Sequence, residues 1–223
     1  MNEFPIFSIH NIFDDPRRVV AASKNLTYTK SKSGHFPGVR SQMLHHVYPD
    51  FTRSFFKSLF SLFYDFDKTE VRYHDAHLYF HKMIPYSKRK SDIRNTGWIH
   101  KDECALAGLV YLNEDADPDS GTSVYKPITH TVYNMNAIQQ KENLYCRGIY
   151  NSKLYKRTYE QSCSQFVQTT KINNVFNTMV CYDGDTWHKA DNFMAGNNEE
   201  RLTLNFFIYK LEVDKTPVQR FRQ

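Results

Sequence analysis

The sequence predicts an α+β protein, mainly β with flanking helices, in which the strands form a sandwich or barrel. Runs rich in Val, Ile, Tyr, Phe and Thr recur from Val71 onward, and Gly, Pro, Asn and Asp bound them, as is typical of strands. Apolar residues at helical spacing occur before this point and once more between the later strands. Several short strands joined by turns favour a sandwich or barrel.

The 223 residues predict one domain, residues 1–223, because the sequence contains no internal repeat and no low-complexity linker. Residues 1–70 are expected to provide N-terminal helical and strand support. Residues 71–211 are expected to form the core, with a helix-bearing insertion at about 135–175. Aromatic residues make up 15% of the chain, so large rings should fill much of that core.

The N-terminal part predicts two helices separated by a loop. Asp15 followed by Pro16 is typical of a helix start, and the Ser, Lys, Gly and Pro content between about 27 and 42 indicates a loop. The second helix is indicated by apolar residues at helical spacing: Phe51, Phe55, Leu59, Leu62 and Phe63. Because Phe56 and Phe60 broaden its apolar face, a helix at a membrane surface is the alternative to packing in the core.

The later part predicts five strands and a further helix. The strand segments are residues 71–84, 105–113, 122–126, 178–183 and 201–211. Between 151 and 168, four residues stand at helical spacing: Tyr155, Tyr159, Cys163 and Phe166. We therefore expect a helix in the insertion, which is a candidate lid over the substrate.

Charge and cysteine usage restrict the class of protein. The net charge is +5 and the pI about 8.9, but 29 basic residues face 24 acidic ones without a long block of one sign. No apolar run is long enough for a membrane span, and the first residues lack a signal-peptide pattern, so a soluble, cytoplasmic protein is expected. The four cysteines lack the paired spacing of a zinc knot or a secreted disulfide framework.

Three side chains predict a metal site. His100 and Asp102 stand two positions apart, and in an extended strand such residues point to the same face. His188 follows an apolar strand and a Gly-Asp turn, and it would supply a third ligand. Two histidines and one carboxylate form the facial set of non-haem iron sites, which leaves coordination positions open.

The order of motifs along the chain adds to this hypothesis. After residues 98–102 come an apolar strand at 107–113, a Gly-Thr-Ser segment at 121–125, His188, and the strand that begins at Arg201. This arrangement resembles the prolyl-hydroxylase-like branch of the 2-oxoglutarate- and Fe(II)-dependent oxygenases, in particular a poorly characterised bacterial and phage group. The resemblance extends over the whole chain.

The resemblance implies a double-stranded β-helix, a jelly-roll or cupin-like fold. It implies Fe(II) at His100, Asp102 and His188, 2-oxoglutarate as co-substrate at Arg201, O2 as oxidant, and ascorbate as a supporting reductant. It also implies the cytoplasm of a bacterium or of a virus-infected host cell. Halogenating members of the family carry a small residue in place of the carboxylate. Asp102 therefore favours hydroxylation, with succinate and CO2 as co-products.

The chemistry of the last strand agrees with that assignment. Arg201 and Thr203 share one face of the strand, and a guanidinium binds a carboxylate through two parallel hydrogen bonds. A hydroxyl two residues along can add a further donor, so Thr203 is a second candidate ligand of the co-substrate. Tyr79 is a third candidate through its hydroxyl, with an ordinary buried tyrosine as the alternative.

Other groups of residues remain open to more than one interpretation. His77 and His81 would suit zinc on a helix, but their segment is predicted to be a strand. Asp183 and Asp185 could orient the imidazole of His188, or could simply form a turn. The mixture of rings and positive charges between 145 and 157 is commonplace on an exposed helix, so nucleic acid is not the expected partner, although the sequence leaves it open.

Two alternative functions remain. A non-catalytic β-sandwich module that binds nucleic acid or protein predicts no affinity for iron. A cupin-like metal protein predicts a metal without 2-oxoglutarate. The sequence does not decide whether the substrate is a polypeptide, for example a prolyl side chain, or a small molecule, and it leaves the oligomeric state open.

Overall fold

The computed structural model describes residues 4–32, 36–129, 132, 135–196 and 200–218. No helix in these ranges has the length and apolar character needed to cross a membrane. The helices are α1 (Pro16–Ser23), α2 (Leu44–Val47), α3 (Pro49–Ser61), α4 (Met135–Tyr145) and α5 (Ser152–Cys163). The strands are β1 (Phe7–His10), β2 (Tyr28–Lys30), β3 (Val39–Ser41), β4 (Val71–Met83), β5 (Leu106–Tyr111), β6 (Thr122–Pro127), β7 (Phe166–Ile172), β8 (Thr178–Asp183), β9 (Trp187–Ala190) and β10 (Arg201–Val213).

Two antiparallel sheets are present within the described residues. The larger sheet has the strand order β1-β8-β5-β10-β4-β3-β2, and the smaller has the order β7-β6-β9. A bridge between His100 and His188 joins the segment before β5 to the smaller sheet. Two antiparallel sheets with helices around them confirm the predicted α+β class.

One face of the larger sheet carries the main apolar core. Side chains from β4, β5, β8 and β10 pack there against the apolar face of α3. Phe56 and Phe60 of α3 are each only 1% exposed, so the broad apolar face of this helix lies in the core and the membrane-surface alternative is wrong. Burying a large ring contributes roughly 1.5–3 kcal/mol.

The other face of the larger sheet points toward the smaller sheet. Successive residues of a strand alternate between faces, and those of this inner face form a second, smaller cluster. Its members are Tyr79, Ala107, Leu109, Tyr111, Ile172, Val180, Tyr182 and Phe207. Arg201 and Thr203 have the same parity on β10 as Phe207, so the predicted co-substrate residues belong to this inner face.

The predicted strands of the second half agree with β4, β5, β6, β8 and β10 to within a few residues, and the predicted helices agree with α1 and α3. The region around 27–42, predicted as a loop, contains β2 and β3. These strands of three residues form one edge of the larger sheet, where β3 pairs with β4. Pairing with a distant strand leaves no local pattern in so short a segment.

The prediction that the helix of the insertion includes Phe166 was wrong. Helix α5 stops at Cys163, and Phe166 begins β7, where its ring packs 4.9 Å from that of Trp187. Phe166 is buried by the smaller sheet, and its spacing from the helix residues is a coincidence. The division of the chain at residue 70 stays a prediction, although β1, β2 and β3 extend the larger sheet from the N-terminal side.

Candidate metal centre

The backbone brings the two predicted histidines face to face. The amide of His100 donates to the carbonyl of His188 at 3.0 Å, and the amide of His188 donates to the carbonyl of His100 at 2.9 Å. The amide of Asp102 donates to the carbonyl of Gly184 at 3.0 Å. A Cβ at Gly184 would lie 2.0 Å from the carbonyl oxygen of Cys104, which explains the glycine in the turn before β9.

The three side chains converge on one point. Nε2 of His188 lies 3.3 Å from Oδ2 of Asp102, and Nε2 of His100 lies 3.5 Å from Oδ1. One ligand atom from each residue lies within 4.8 Å of the others. Within the described ranges, no other group of three or more His, Cys, Asp and Glu side chains is arranged to hold a metal ion.

Hydrogen bonds orient both imidazoles toward this point. Nδ1 of His100 lies 2.9 Å from the carbonyl of Trp98, and Nδ1 of His188 lies 2.9 Å from that of Thr186. A carbonyl oxygen only accepts, so each Nδ1 carries the proton and donates it. Each Nε2 therefore presents its lone pair to the common point, as a metal ligand must.

The electrostatics of the site keep the ligands in their metal-binding forms. Burial lowers the pKa of His188 to about 4, although the charge of Asp102 acts against this effect. Burial would raise the pKa of Asp102, but the charges of His188 and His100 outweigh it and hold the carboxyl below its usual range. At neutral pH the site thus offers a neutral imidazole at His188 and a carboxylate, which fits a divalent ion such as Fe(II).

A cavity of about 80 Å³ extends from the three ligands between the sheets to Arg201. Arg201 is fully buried, and its Nε donates to the carbonyl of Ser120 at 2.8 Å. Its Nη2 contacts Oγ1 of Thr122 at 3.4 Å, and Tyr111 donates to the same Oγ1 at 2.8 Å. Within the described residues no carboxylate pairs with Arg201, so this cationic end of the cavity suits a carboxylate from outside the chain.

A comparison with models of protein families assigns the chain to one family. Residues 1–208 match DUF6445, which is described as a family of unknown function. The chain belongs to this family. A comparison of the sequence with curated proteins finds no match.

Solved structures share the fold of the DUF6445 chain at low sequence identity. A prolyl hydroxylase from Trichoplax adhaerens, in complex with a hypoxia inducible factor peptide fragment, is 9% identical, with a TM-score of 0.52 over 92% of this chain and 83% of that chain. EvdO2 from Micromonospora carbonacea is 12% identical, with a TM-score of 0.52 over 96% and 90%. HygX from Streptomyces hygroscopicus, with nickel and 2-oxoglutarate bound, is 9% identical, with a TM-score of 0.50 over 91% and 81%.

These similarities confirm the predicted fold. The DUF6445 chain has the double-stranded β-helix of the 2-oxoglutarate- and Fe(II)-dependent oxygenases, and prolyl hydroxylases are among the proteins that share it. Structural similarity at identities this low shows a shared fold and nothing more specific. The chemistry has to be argued from the side chains of the DUF6445 chain itself.

Thr203 and Tyr79 do not line the cavity of the DUF6445 chain. The hydroxyl of Thr203 donates to Oδ1 of Asn205 at 2.6 Å, and the ring of Tyr79 stacks 5.9 Å from that of Phe207. Both residues lie on the predicted inner face, beside residues that reach the cavity. Contact of either one with 2-oxoglutarate stays a prediction.

Tyr111 and Thr122 are polar groups beside Arg201 that sequence reasoning missed. Tyr111 lies opposite Thr203 in the pairing of β5 with β10, and Thr122 begins β6. Burial raises the pKa of the Tyr111 hydroxyl, which therefore stays protonated and able to donate. The alternation along β5 places Tyr111 on the same face as Ala107 and Leu109, but only the strand register brings it to Arg201.

Asp183 and Asp185 lie in the turn before β9. Oδ1 of Asp183 accepts from the amide of Asp185 at 2.9 Å, and Oδ1 of Asp185 accepts from Nζ of Lys101 at 2.6 Å. Backbone carbonyls orient both imidazoles. His77 and His81 lie on strand β4, as predicted, so this segment lacks the helical spacing that the zinc interpretation required.

Proposed function

We propose that this protein is an Fe(II)- and 2-oxoglutarate-dependent dioxygenase that hydroxylates a substrate still to be identified, with succinate and CO2 as co-products. The observation that carries the proposal is the convergence of His100, Asp102 and His188 at one end of a cavity that has Arg201 at the other. When bound, iron with 2-oxoglutarate and O2 would supply the oxidising chemistry.

The chain's own residues would hold and orient the metal. The Nε2 atoms of the two histidines and one oxygen of Asp102 would supply three ligand atoms to the ion, and such a set leaves coordination positions open. The hydrogen bonds from Nδ1 of both imidazoles to backbone carbonyls fix the ring orientation before the metal arrives. The retained carboxylate of Asp102 supports hydroxylation over halogenation.

Arg201 would bind the far carboxylate of 2-oxoglutarate. Its Nε and Nη2 are held by Ser120 and Thr122. Among the described residues, Nη1 contacts only the sulfur of Met83, at 3.4 Å, which is a weak acceptor that a carboxylate oxygen can replace. The hydroxyl of Tyr111 lies in the same cluster. Two charge-assisted hydrogen bonds in a buried site would fix both position and orientation of the diacid.

Apolar side chains around the cavity would limit the access of water. Trp98, Leu109, Tyr182, Phe193 and Phe207 line it, and each is at most 8% exposed. In such surroundings the pairing of Arg201 with a carboxylate is stronger than in water. The same enclosure would keep bulk solvent away from the reacting groups.

The proposal is tested by measuring succinate formed from 2-oxoglutarate with Fe(II), ascorbate and air. We expect His100→Ala and Asp102→Ala to reduce succinate to the level of iron without protein, because each removes a ligand. The control is His74→Ala, since the side chain of His74 is 54% exposed. Undiminished turnover in both ligand variants would contradict the metal assignment.

Binding under anaerobic conditions separates the remaining alternatives. We expect an absorption band that needs both Fe(II) and 2-oxoglutarate, because the two would be in direct contact at the site. A metal protein that does not use 2-oxoglutarate would bind iron without this band. A non-catalytic binding module would show neither iron affinity nor the band.

A further inference from the structure

Two positively charged side chains reach the metal cavity in addition to Arg201. Arg40 comes from β3, in the N-terminal part of the chain, and Lys141 comes from α4, in the insertion between β6 and β7. They thus approach the cavity from elements far apart in sequence. Neither is needed for the three-residue metal site or for the cluster around Arg201.

Arg40 is held flat by aromatic rings and has unused hydrogen-bonding capacity. Its guanidinium carbon lies 3.7 Å from the ring centroid of Phe36 and 4.7 Å from that of Tyr79. Its Nε is buried and has no hydrogen-bond partner, and no carboxylate within the described residues forms an ion pair with the side chain. Rings cover the face of the guanidinium, so its edge, which carries the N–H donors, is left for a ligand.

The position of Arg40 sets it apart from the pocket around Arg201. Its guanidinium carbon lies 5.7 Å from the ring of Phe207, six positions along β10 from Arg201. Phe207 lies opposite Ala107, which lies opposite Tyr182, and the ring of Tyr182 lies 4.5 Å from that of His188. The guanidinium of Arg40 therefore lies on the side of the cavity that carries the candidate metal ligands.

Lys141 is the second uncompensated cation at this end. Within the described residues its ammonium group forms no ion pair, and the only carboxylate whose charge it senses is that of Asp102. Lys141 lines the cavity together with His100, Asp102 and His188, which places it at the end that carries the candidate metal ligands. Buried or half-buried charges are normally paired, so these two cations indicate a place for an anion.

The balance of charge in the cavity supports this interpretation. The inference rests on the proposed function, because it counts the charges of the metal and of 2-oxoglutarate. A divalent metal, the carboxylate of Asp102, the two carboxylates of 2-oxoglutarate and the guanidinium of Arg201 would together be neutral. Arg40 and Lys141 would then remain as two positive charges in the same cavity. A substrate with one or two negative charges would neutralise them, whereas a neutral substrate would leave both unpaired.

We propose that Arg40 and Lys141 form a subsite for a carboxylate of the primary substrate, so that this protein acts on an acidic compound or an acidic side chain. Arg40 binds the carboxylate through the edge of its guanidinium, and the rings of Phe36 and Tyr79 hold that edge toward the metal. Lys141 supplies a second charge from the insertion. The carboxylate thereby fixes which C–H bond of the substrate faces the metal.

The subsite can be tested without knowledge of the complete substrate. The chain is loaded with Ni(II) and 2-oxoglutarate without oxygen, and acetate, propionate and glutarate are titrated against acetamide, propionamide and glutaramide. Binding is followed through the fluorescence of Trp98, which lines the cavity. We expect the carboxylates to bind more tightly than the matched amides, by roughly ten- to a hundredfold, the value of a charge-assisted hydrogen bond.

Variants identify the residues responsible. Arg40→Gln should remove most of this preference, and Lys141→Gln, which is distant from β3, should reduce it by itself if the Arg40 variant folds poorly. Lys82→Gln is the control, because it removes a positive charge next to His81 on β4, but its side chain pairs with Glu200 and lies outside the cavity. The control should retain the preference for carboxylates.

Several outcomes would overturn the subsite. Equal binding of carboxylates and amides would do so, as would a preference unchanged in both Arg40→Gln and Lys141→Gln. A loss of 2-oxoglutarate affinity in Arg40→Gln would assign Arg40 to the co-substrate instead. A wild-type chain that never binds 2-oxoglutarate would contradict the proposed function itself, which distinguishes the two failures.

Discussion

At the scale of single residues, Arg201 is completely buried, and no carboxylate within the described residues pairs with it. A buried guanidinium without a carboxylate partner is costly, and here backbone carbonyls and a threonine hydroxyl offset only part of that cost. Arg201 lines a cavity that is also lined by the three candidate metal ligands. An external diacid that bridges the two ends would compensate the charge.

Arg201→Lys tests this role with the charge retained. Lysine cannot reproduce the two parallel hydrogen bonds of a guanidinium, so the affinity for 2-oxoglutarate should fall by roughly ten- to a hundredfold. The measurement is a titration of 2-oxoglutarate, followed by the anaerobic absorption band. Arg72→Lys on β4, where the arginine is exposed and pairs with Glu70, is the matched control. Equal affinities in all three proteins would exclude Arg201 from the co-substrate site.

At the scale of elements, close contact between strands positions the cavity. Gly108 lies on β5 between β8 and β10, where a Cβ would meet the ring of Phe206 at 2.3 Å and the carbonyl oxygen of Val180 at 2.3 Å. The ring of Phe206 therefore packs directly over the glycine. This contact holds β5 and β10, which carry Tyr111 and Arg201, in one register.

We expect Gly108→Ala to lower the free energy of unfolding by about 1–3 kcal/mol, because a methyl group overpacks this contact. Urea unfolding of the metal-free chain measures the change. The added methyl group should cost less free energy of unfolding in a Phe206→Leu chain than in the wild type. The ring of Phe206, which is one of the two groups that the methyl group would meet, is absent from that chain. An alanine variant as stable as the wild type would show that the strands can move apart there.

The insertion between β6 and β7 reaches the cavity from outside the two sheets. Helices α4 and α5 pack around Trp98, whose indole Nε1 donates to the hydroxyl of Tyr155 at 3.0 Å. Trp98 precedes His100 by two residues, so the insertion is anchored beside a candidate metal ligand and brings Lys141 to the cavity. A role of the insertion as a substrate lid stays a prediction.

At the scale of the whole molecule, buried histidines couple stability to pH. Burial and the charge of Arg40 lower the pKa of His81 well below its ordinary value, and burial lowers that of His188 to about 4. In the unfolded chain both take up a proton near pH 6.5, but in the folded chain they do not. The unfolded state therefore binds more protons below this pH, and the folded state loses stability as the pH falls.

The metal-free chain should be less stable at pH 5.5 than at pH 7.5, by up to about 1.4 kcal/mol per pH unit for each of the two histidines below pH 6.5. Urea unfolding at both values measures the difference. His81→Gln should reduce it, whereas His46→Gln, which removes an exposed imidazole, should not. Aspartates ionise at lower pH and contribute little in this window. Identical stability at the two pH values would contradict the burial argument.

The sequence alone determined β4, β5, β6, β8 and β10, together with the residues that carry the proposed chemistry. The spacing of two residues predicts that His100 and Asp102 point the same way, and alternation along β10 places Arg201 on the inner face, because the side-chain period of two is a local property. The tertiary structure decided which of these faces meet. Arg40, Tyr111, Thr122 and Lys141 reach the cavity through strand register and through the packing of an insertion. Periodicity shows which way a side chain points, but not which distant strand lies opposite it.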